Sequence, residues 1–172
     1  NKPISVKEHG LHKLFNSWGI EVKMNQIVGD RNLAQRVTAV SGGRRVVTDY
    51  LPWLSIDERG IHREDVITSE IERINVASSG FVQVLDDANL SLDSLVFSSK
   101  ESQILDIDKI RPNPNPVQIL SDYKIDSKNL PIAARISGVF KTAFPDGPPN
   151  RNDQVMNTEP DPELVKEHKM VS

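Results

Sequence analysis

Leu95-Val96-Phe97-Ser98-Ser99-Lys100-Glu101-Ser102 is the stretch around which the rest of the chain is organised. An apolar run breaks abruptly into small hydroxyl residues, the pattern of a buried strand leaving a core into a turn. In open α/β sheets ligands gather at the carboxyl ends of strands. The turn around Ser98, Ser99 and Lys100 is therefore the first candidate binding site. The plainer reading is a loop, because serine is a common loop residue.

Working outward, Phe81-Val82-Gln83-Val84-Leu85 predicts a neighbouring strand, closed by Asp86-Asp87-Ala88-Asn89. Ile71 to Val76 is ambiguous between a helical turn and a strand. Further upstream, Arg36 to Val40 and Arg44 to Tyr50 are rich in β-branched residues on either side of Ser41-Gly42-Gly43, a hairpin pattern. Leu51-Pro52-Trp53-Leu54 then reads as leaving the strand, since Pro52 has no N–H for a central ladder. At the start, Ser5 and Glu8 fit a capping box. Leu11, Leu14, Phe15 and Trp18 fall on one helical face, and Gly19 stands where a left-handed residue would end the helix. Downstream, Pro112, Pro114 and Pro116 predict an extended connector. Ile132 to Phe144 reads as the longest strand, with Ile132, Ala134, Ile136, Phe140 and Phe144 on one face. Burial is expected to place Trp18, Phe97 and Phe140 in the core.

The chain has 172 residues, enough for one domain with a core, and a formal net charge of -3 with both signs interspersed. Nothing in it resembles the basic stripe that neutralising phosphates would require, so nucleic acid is not an expected partner. With no cysteine there can be no disulfide, thiolate zinc site or cysteine nucleophile. No run reaches the ~18 apolar residues of a membrane span, and no signal peptide opens the chain. Beginning at Asn1, the chain is expected to be a segment of a longer protein whose anchors lie outside it.

Chemistry-bearing patterns are sparse. His9 and His12 could share a metal on one helix face, but no third ligand accompanies them. Ser121-Asp122-Tyr123-Lys124 matches Ser-x-x-Lys without the companion motifs of penicillin-recognising enzymes. Asp86/Asp87 and Asp106/Asp108 read as solvated loop carboxylates rather than a hydrolase pair or a calcium loop. Tyr50 and Trp53 flank Pro52 at a strand end. There they could stack on a sugar, form an interface hot spot or seal the edge of a core.

An ordered series of short motifs resembles the extracytoplasmic region of the auxiliary component of gliding-motility-type ABC transport systems. It runs from Trp18-Gly19-Ile20 through Val28-Gly29-Asp30, Ala34-Gln35-Arg36-Val37, Tyr50-Leu51-Pro52-Trp53-Leu54 and Asn75-Val76-Ala77-Ser78-Ser79-Gly80. It continues with Leu95-Val96-Phe97-Ser98-Ser99, Ile132 to Gly138 and Lys141-Thr142-Ala143-Phe144-Pro145. Ser98 stands where the family usually has Thr, and Thr142 where it usually has Ser. The resemblance implies a periplasm-facing domain at the bacterial inner membrane, tethered through segments outside this chain and working beside an ABC permease and ATPase. It also implies an amidotransferase-like or sugar-binding-like α/β lineage, and it carries over no catalytic residue.

The expected fold is α+β: one amphipathic helix over 6–18 followed by a mainly antiparallel or mixed sheet, within a larger α/β domain. An auxiliary domain is expected over 1–145 and a flexible polar tail over 146–172. The expected function is non-enzymatic, assisting assembly or substrate recognition in an ABC transport system. The alternative is a free-standing module binding a carbohydrate or other small ligand. A hydrolase at Asp86/Asp87 or Ser98 is a weaker alternative. The expected contact residues are Tyr50, Trp53, Ser98, Ser99 and Lys100, with no metal or cofactor.

Overall fold

The computed structural model describes residues 11–145 and 147. The capping box at Ser5–Glu8, His9 and the expected tail lie outside the described residues. Helix α1 spans Leu11–Trp18, and Gly19 follows it with φ 71°, so the predicted stop is where the sequence placed it. No α1 residue is buried. The helix leans on the body through the Trp18 ring, edge-on to Phe140 with centroids 4.8 Å apart.

Among the described residues nine strands follow: β1 Ile20–Glu21, β2 Gln26–Asp30, β3 Ala34–Ser41, β4 Arg44–Ile56, β5 Ile74–Ala77, β6 Gln83–Val84, β7 Leu90–Phe97, β8 Ser102–Asp106 and β9 Pro131–Gly138. Helix α2, Pro116–Ser121, lies between β8 and β9. All strand pairings are antiparallel, in sheets ordered β1-β6, β2-β8, β3-β4-β5 and β7-β9. The fold is α+β, as expected, and mostly β.

Two apolar clusters share β2 and β4. Val28, Leu33, Leu54, Ile56, Ile61, Phe81, Val96 and Leu130 form one. Ile27, Tyr50, Leu51, Leu105 and Ile119 form the other. Strand β2 serves both because successive side chains point to opposite faces, Ile27 into one cluster and Val28 into the other.

The β3–β4 hairpin closes on Gly42-Gly43 in register Ser41↔Arg44, as expected. Both glycines have positive φ, 56° and 76°, the requirement of a two-residue primed turn. Pro52, however, does not end the strand: β4 continues to Ile56 and, at 13 residues, is the longest among the described residues. Gln35 pairs with Tyr50 but Ala34 pairs with Leu54, so Leu51, Pro52 and Trp53 bulge out of register with β3. The proline falls where the ladder to β3 asks for no N–H, and its carbonyl accepts from the Ser78 amide at 2.7 Å.

Other boundaries also move. The segment 132–144 is not one long strand, because β9 stops at Gly138 with φ 144°. Phe140 and Phe144 are then 40% and 37% exposed, and Trp18 and Phe97 are half-buried rather than central. Only Gln83–Val84 of the predicted strand at 81–85 pairs, with β1, while Phe81 is buried as a core plug. Of the ambiguous 71–76 segment, 74–76 is strand, in β5, and 71–73 is neither helix nor strand. The proline-rich connector runs into α2, where Pro116 takes the first helical turn and Asn115 caps it by accepting from the Gln118 amide.

Candidate functional site

The serine turn joins β7 to β8, and it is built around a buried carboxylate. Asp30, at the end of β2, is inaccessible to solvent. Its Oδ2 accepts from the Ser99 amide at 2.6 Å. Its Oδ1 accepts from the Ser99 hydroxyl at 2.9 Å and the Leu33 amide at 3.2 Å. The Ser99 hydroxyl in turn accepts from the Glu101 amide at 3.0 Å. Burial raises the Asp30 pKa above its usual 3.8, and the hydrogen bonds from Ser99 and Leu33 oppose that rise.

Ser98 and Ser102 are equally inaccessible. The Ser98 hydroxyl accepts from the Leu130 amide at 2.8 Å, and the carbonyls of Ser99 and Lys128 lie within reach of its proton at 3.2 and 3.3 Å. The Ser102 hydroxyl donates to the same Lys128 carbonyl. These hydroxyls bind the turn to the segment entering β9, satisfying backbone groups that would otherwise be orphaned in the interior. Tyr123 adds a hydrogen bond from its hydroxyl to the Glu101 carbonyl. Lys100, at the tip, is exposed.

Tyr50 and Trp53 lie elsewhere, on β4. Tyr50 is buried in the cluster with Leu51, Leu105 and Ile119, and that burial raises its pKa. Trp53 is 42% exposed, opposite Ala77 of β5, with its ring edge-on to Tyr50 at 5.3 Å. One ring seals the core and the other faces solvent. Among the described residues, no hydrogen bond or aromatic contact joins this pair to the Ser98–Lys100 turn. The rule that ligands gather at the carboxyl ends of strands belongs to parallel α/β sheets. It loses its basis in these antiparallel pairings.

Neither of two clefts is lined by Tyr50, Trp53, Ser98, Ser99 or Lys100, although the smaller borders the serine turn at Phe97, the residue before Ser98. One, of about 590 Å3, separates the face of α1 (His12, Phe15) from the loop after β1 (Val22 to Asn25) and from Ile107, Asp108 and Arg111. The other, of about 300 Å3, is lined by His62, Leu92, Asp93, Ser94, Phe97 and Asn129. Sequence reasoning named neither. The residues facing the larger cleft come from segments some 90 positions apart, and no local pattern marks them. Among the described residues no three His, Cys, Asp or Glu side chains are grouped to hold a metal, and no helix is long and apolar enough to cross a membrane.

The arrangement defines a class first: an antiparallel α+β domain whose polar interior is devoted to pinning its own turns. A family model described as "ABC-type uncharacterized transport system" matches residues 1–171. The chain therefore belongs to this ABC-transport auxiliary family, as the motif series from Trp18 to Pro145 implied. No curated protein and no solved structure matches it.

Proposed function

We propose that this chain is a non-enzymatic auxiliary domain of an ABC transport system. It faces the periplasm beside a permease and an ATPase, and assists assembly or substrate recognition in a system of the gliding-motility type. The family match over 1–171 carries this reading. The geometry of the serine turn supports the non-enzymatic part. The Ser98 hydroxyl is sealed from solvent and engaged with backbone groups, which is a poor setting for a nucleophile. Contacts with partner or ligand fall on the exposed Trp53 ring, backed by Tyr50, and on Lys100, which Ser98 and Ser99 hold in place. The auxiliary domain occupies 1–145, and 146–172 serves as a tail.

The test is affinity purification of the protein from detergent-solubilised membranes of its native cells, with partners identified by mass spectrometry. Stoichiometric recovery of an ABC ATPase and permease is the expected result. Recovery of the protein alone, in detergents that preserve such complexes, would overturn it.

A second reading, a free-standing module for a small ligand, draws on the larger cleft. That cleft has an apolar floor of Phe15, Ile20 and Ile107 and a charged rim that includes Arg111 and Lys23. Saturable binding of a saccharide or small anion by the isolated chain, lost in Arg111→Ala, would favour it.

A further inference from the structure

The β3–β4 hairpin carries a surface that neither reading uses. Strand β3 is the outer member of the β3-β4-β5 sheet, and among the described residues nothing pairs with its other edge. A two-residue turn makes the flanking pair Ser41↔Arg44 a hydrogen-bonded one. Alternation along the ladder then makes Val40↔Arg45, Thr38↔Val47 and Arg36↔Asp49 the non-bonded pairs. In such pairs the β3 residue turns its N–H and C=O outward. The backbone groups of Arg36, Thr38 and Val40 therefore point to the open edge.

The side chains of the same three residues share the solvent face. All three are exposed, with Val40 at 69%, and Val47 beside them is 60% exposed. The opposite face, with Val37 and Ala39, is turned inward. Edge strands are commonly blunted by proline, charged side chains, a bulge or a covering loop. From Gln35 to Ser41 this one has no proline and no bulge, its single charge is Arg36, and it carries Val37, Thr38 and Val40.

Charge narrows what fits there. In a chain of net charge -3, residues 31–48 hold Arg31, Arg36, Arg44 and Arg45 and no Asp or Glu. All four arginines are exposed. The nearest carboxylate partner, Asp49, stands 3.9 Å from Arg36 Nε and leaves the rest of that guanidinium free. Arg36 and Arg45 bracket Val40 on the solvent face.

We propose that the β3 edge is a docking site that takes up an extended, acidic segment of a partner protein as an added strand. The added strand completes the hydrogen bonds of Arg36, Thr38 and Val40. It sets carboxylates against the arginines and apolar or β-branched side chains against Val40 and Val47. A second copy of this chain fits poorly, because edge-to-edge pairing would bring two acid-free arginine clusters together. An anionic bilayer would meet the arginines but leave the outward backbone groups without partners. The proposal does not rest on the transport reading, because it concerns this chain and a peptide alone.

Amide hydrogen exchange by NMR tests it on the full chain, with a synthetic peptide as long as β3 that alternates glutamate and threonine. The control peptide has lysine in place of glutamate. The acidic peptide should slow exchange at Arg36, Thr38 and Val40 by about tenfold or more, and the control should not. Thr38→Pro, which removes an outward N–H without touching the hairpin ladder, should abolish the effect. Arg36→Glu with Arg45→Glu should weaken binding about tenfold or more. The double variant alters only exposed side chains and decides the matter should Thr38→Pro unfold the hairpin. Equal protection by both peptides, or none from the acidic one, would overturn the proposal. So would concentration-dependent dimerisation that protects β3 without peptide. Binding to mixed phosphatidylglycerol and phosphatidylcholine vesicles that survives Thr38→Pro would overturn it in favour of a membrane surface.

Discussion

Asp30 and Ser98 show how much of the interior polarity belongs to the fold. In Asp30→Asn one carboxylate oxygen becomes an NH2, which must face the amide of Ser99 or of Leu33, donor against donor. The expected cost is about 1–3 kcal/mol in urea unfolding. Ser98→Ala strands the buried Leu130 amide and is expected to cost a similar amount, about 1–3 kcal/mol. The pH dependence carries two signs. Asp30 has a folded pKa above 3.8, so its contribution is fully present below the unfolded value and is lost as pH rises through the folded one. Asp57, held down to about 2 chiefly by hydrogen bonds from the Arg59 side chain, behaves oppositely. Its contribution is present above 3.8 and is lost as pH falls through about 2. Carboxyl carbon NMR should therefore show Asp30 taking up its proton first on acidification and Asp57 well after it.

At the scale of elements, β4 carries both aromatic candidates and separates their roles. Tyr50→Ala empties a buried site and should cost about 3–5 kcal/mol in thermal or urea unfolding. Trp53→Ala gives up an edge-on contact and a half-exposed ring, for about 1 kcal/mol. If Trp53 touches a transporter subunit, that variant should fold and yet fail to recover the complex. The β4–β7 junction is tighter. A Cβ on Gly60 would stand 2.6 Å from the Phe97 carbonyl oxygen, a backbone atom that cannot step aside. Gly60→Ala should therefore cost about 1–3 kcal/mol. Nearby, Arg135 of β9 donates to Asp65 Oδ1 at 2.9 Å and ties the loop before β5 to the β7-β9 sheet. The Asp65 pKa is lowered first by the Ile67 amide and also by Arg135. Arg135→Ala should speed amide exchange across 62–71 while leaving β2 and β8 protected.

For the whole molecule, two clusters sharing β2 and β4 should unfold as one. Leu51→Ala and Leu54→Ala remove buried side chains from different clusters. Each should cost about 2–5 kcal/mol and keep a single transition by fluorescence and circular dichroism. Two separate transitions in either variant would show the clusters to be independent.

Local sequence suffices for the strand-rich α+β character, the β3–β4 hairpin, the end of α1 and the family, but it leaves a mixed sheet open, and only the pairings settle the strands as antiparallel. Each of these rests on residues close together in the chain: Gly42-Gly43 between β-branched runs, Gly19 after an apolar face, short motifs in order. It also pointed to the Ser98 turn as a place where polarity gathers. The meaning of that polarity was out of reach, because Asp30 lies 69 residues from Ser99 and Leu130 lies 32 from Ser98. Pro52 was misread for the same kind of reason: whether a proline breaks a strand depends on whether the neighbouring ladder needs its N–H, and the bulge against β3 removes that need. Phe140 looked like core by alternation, but a side chain is buried only if another element covers it, and β9 ends before it. Which polar groups are enclosed, which apolar faces are covered and which strand edge stays open are settled by the packing of distant segments. Those properties belong to pairs of segments brought together, and no local pattern encodes them.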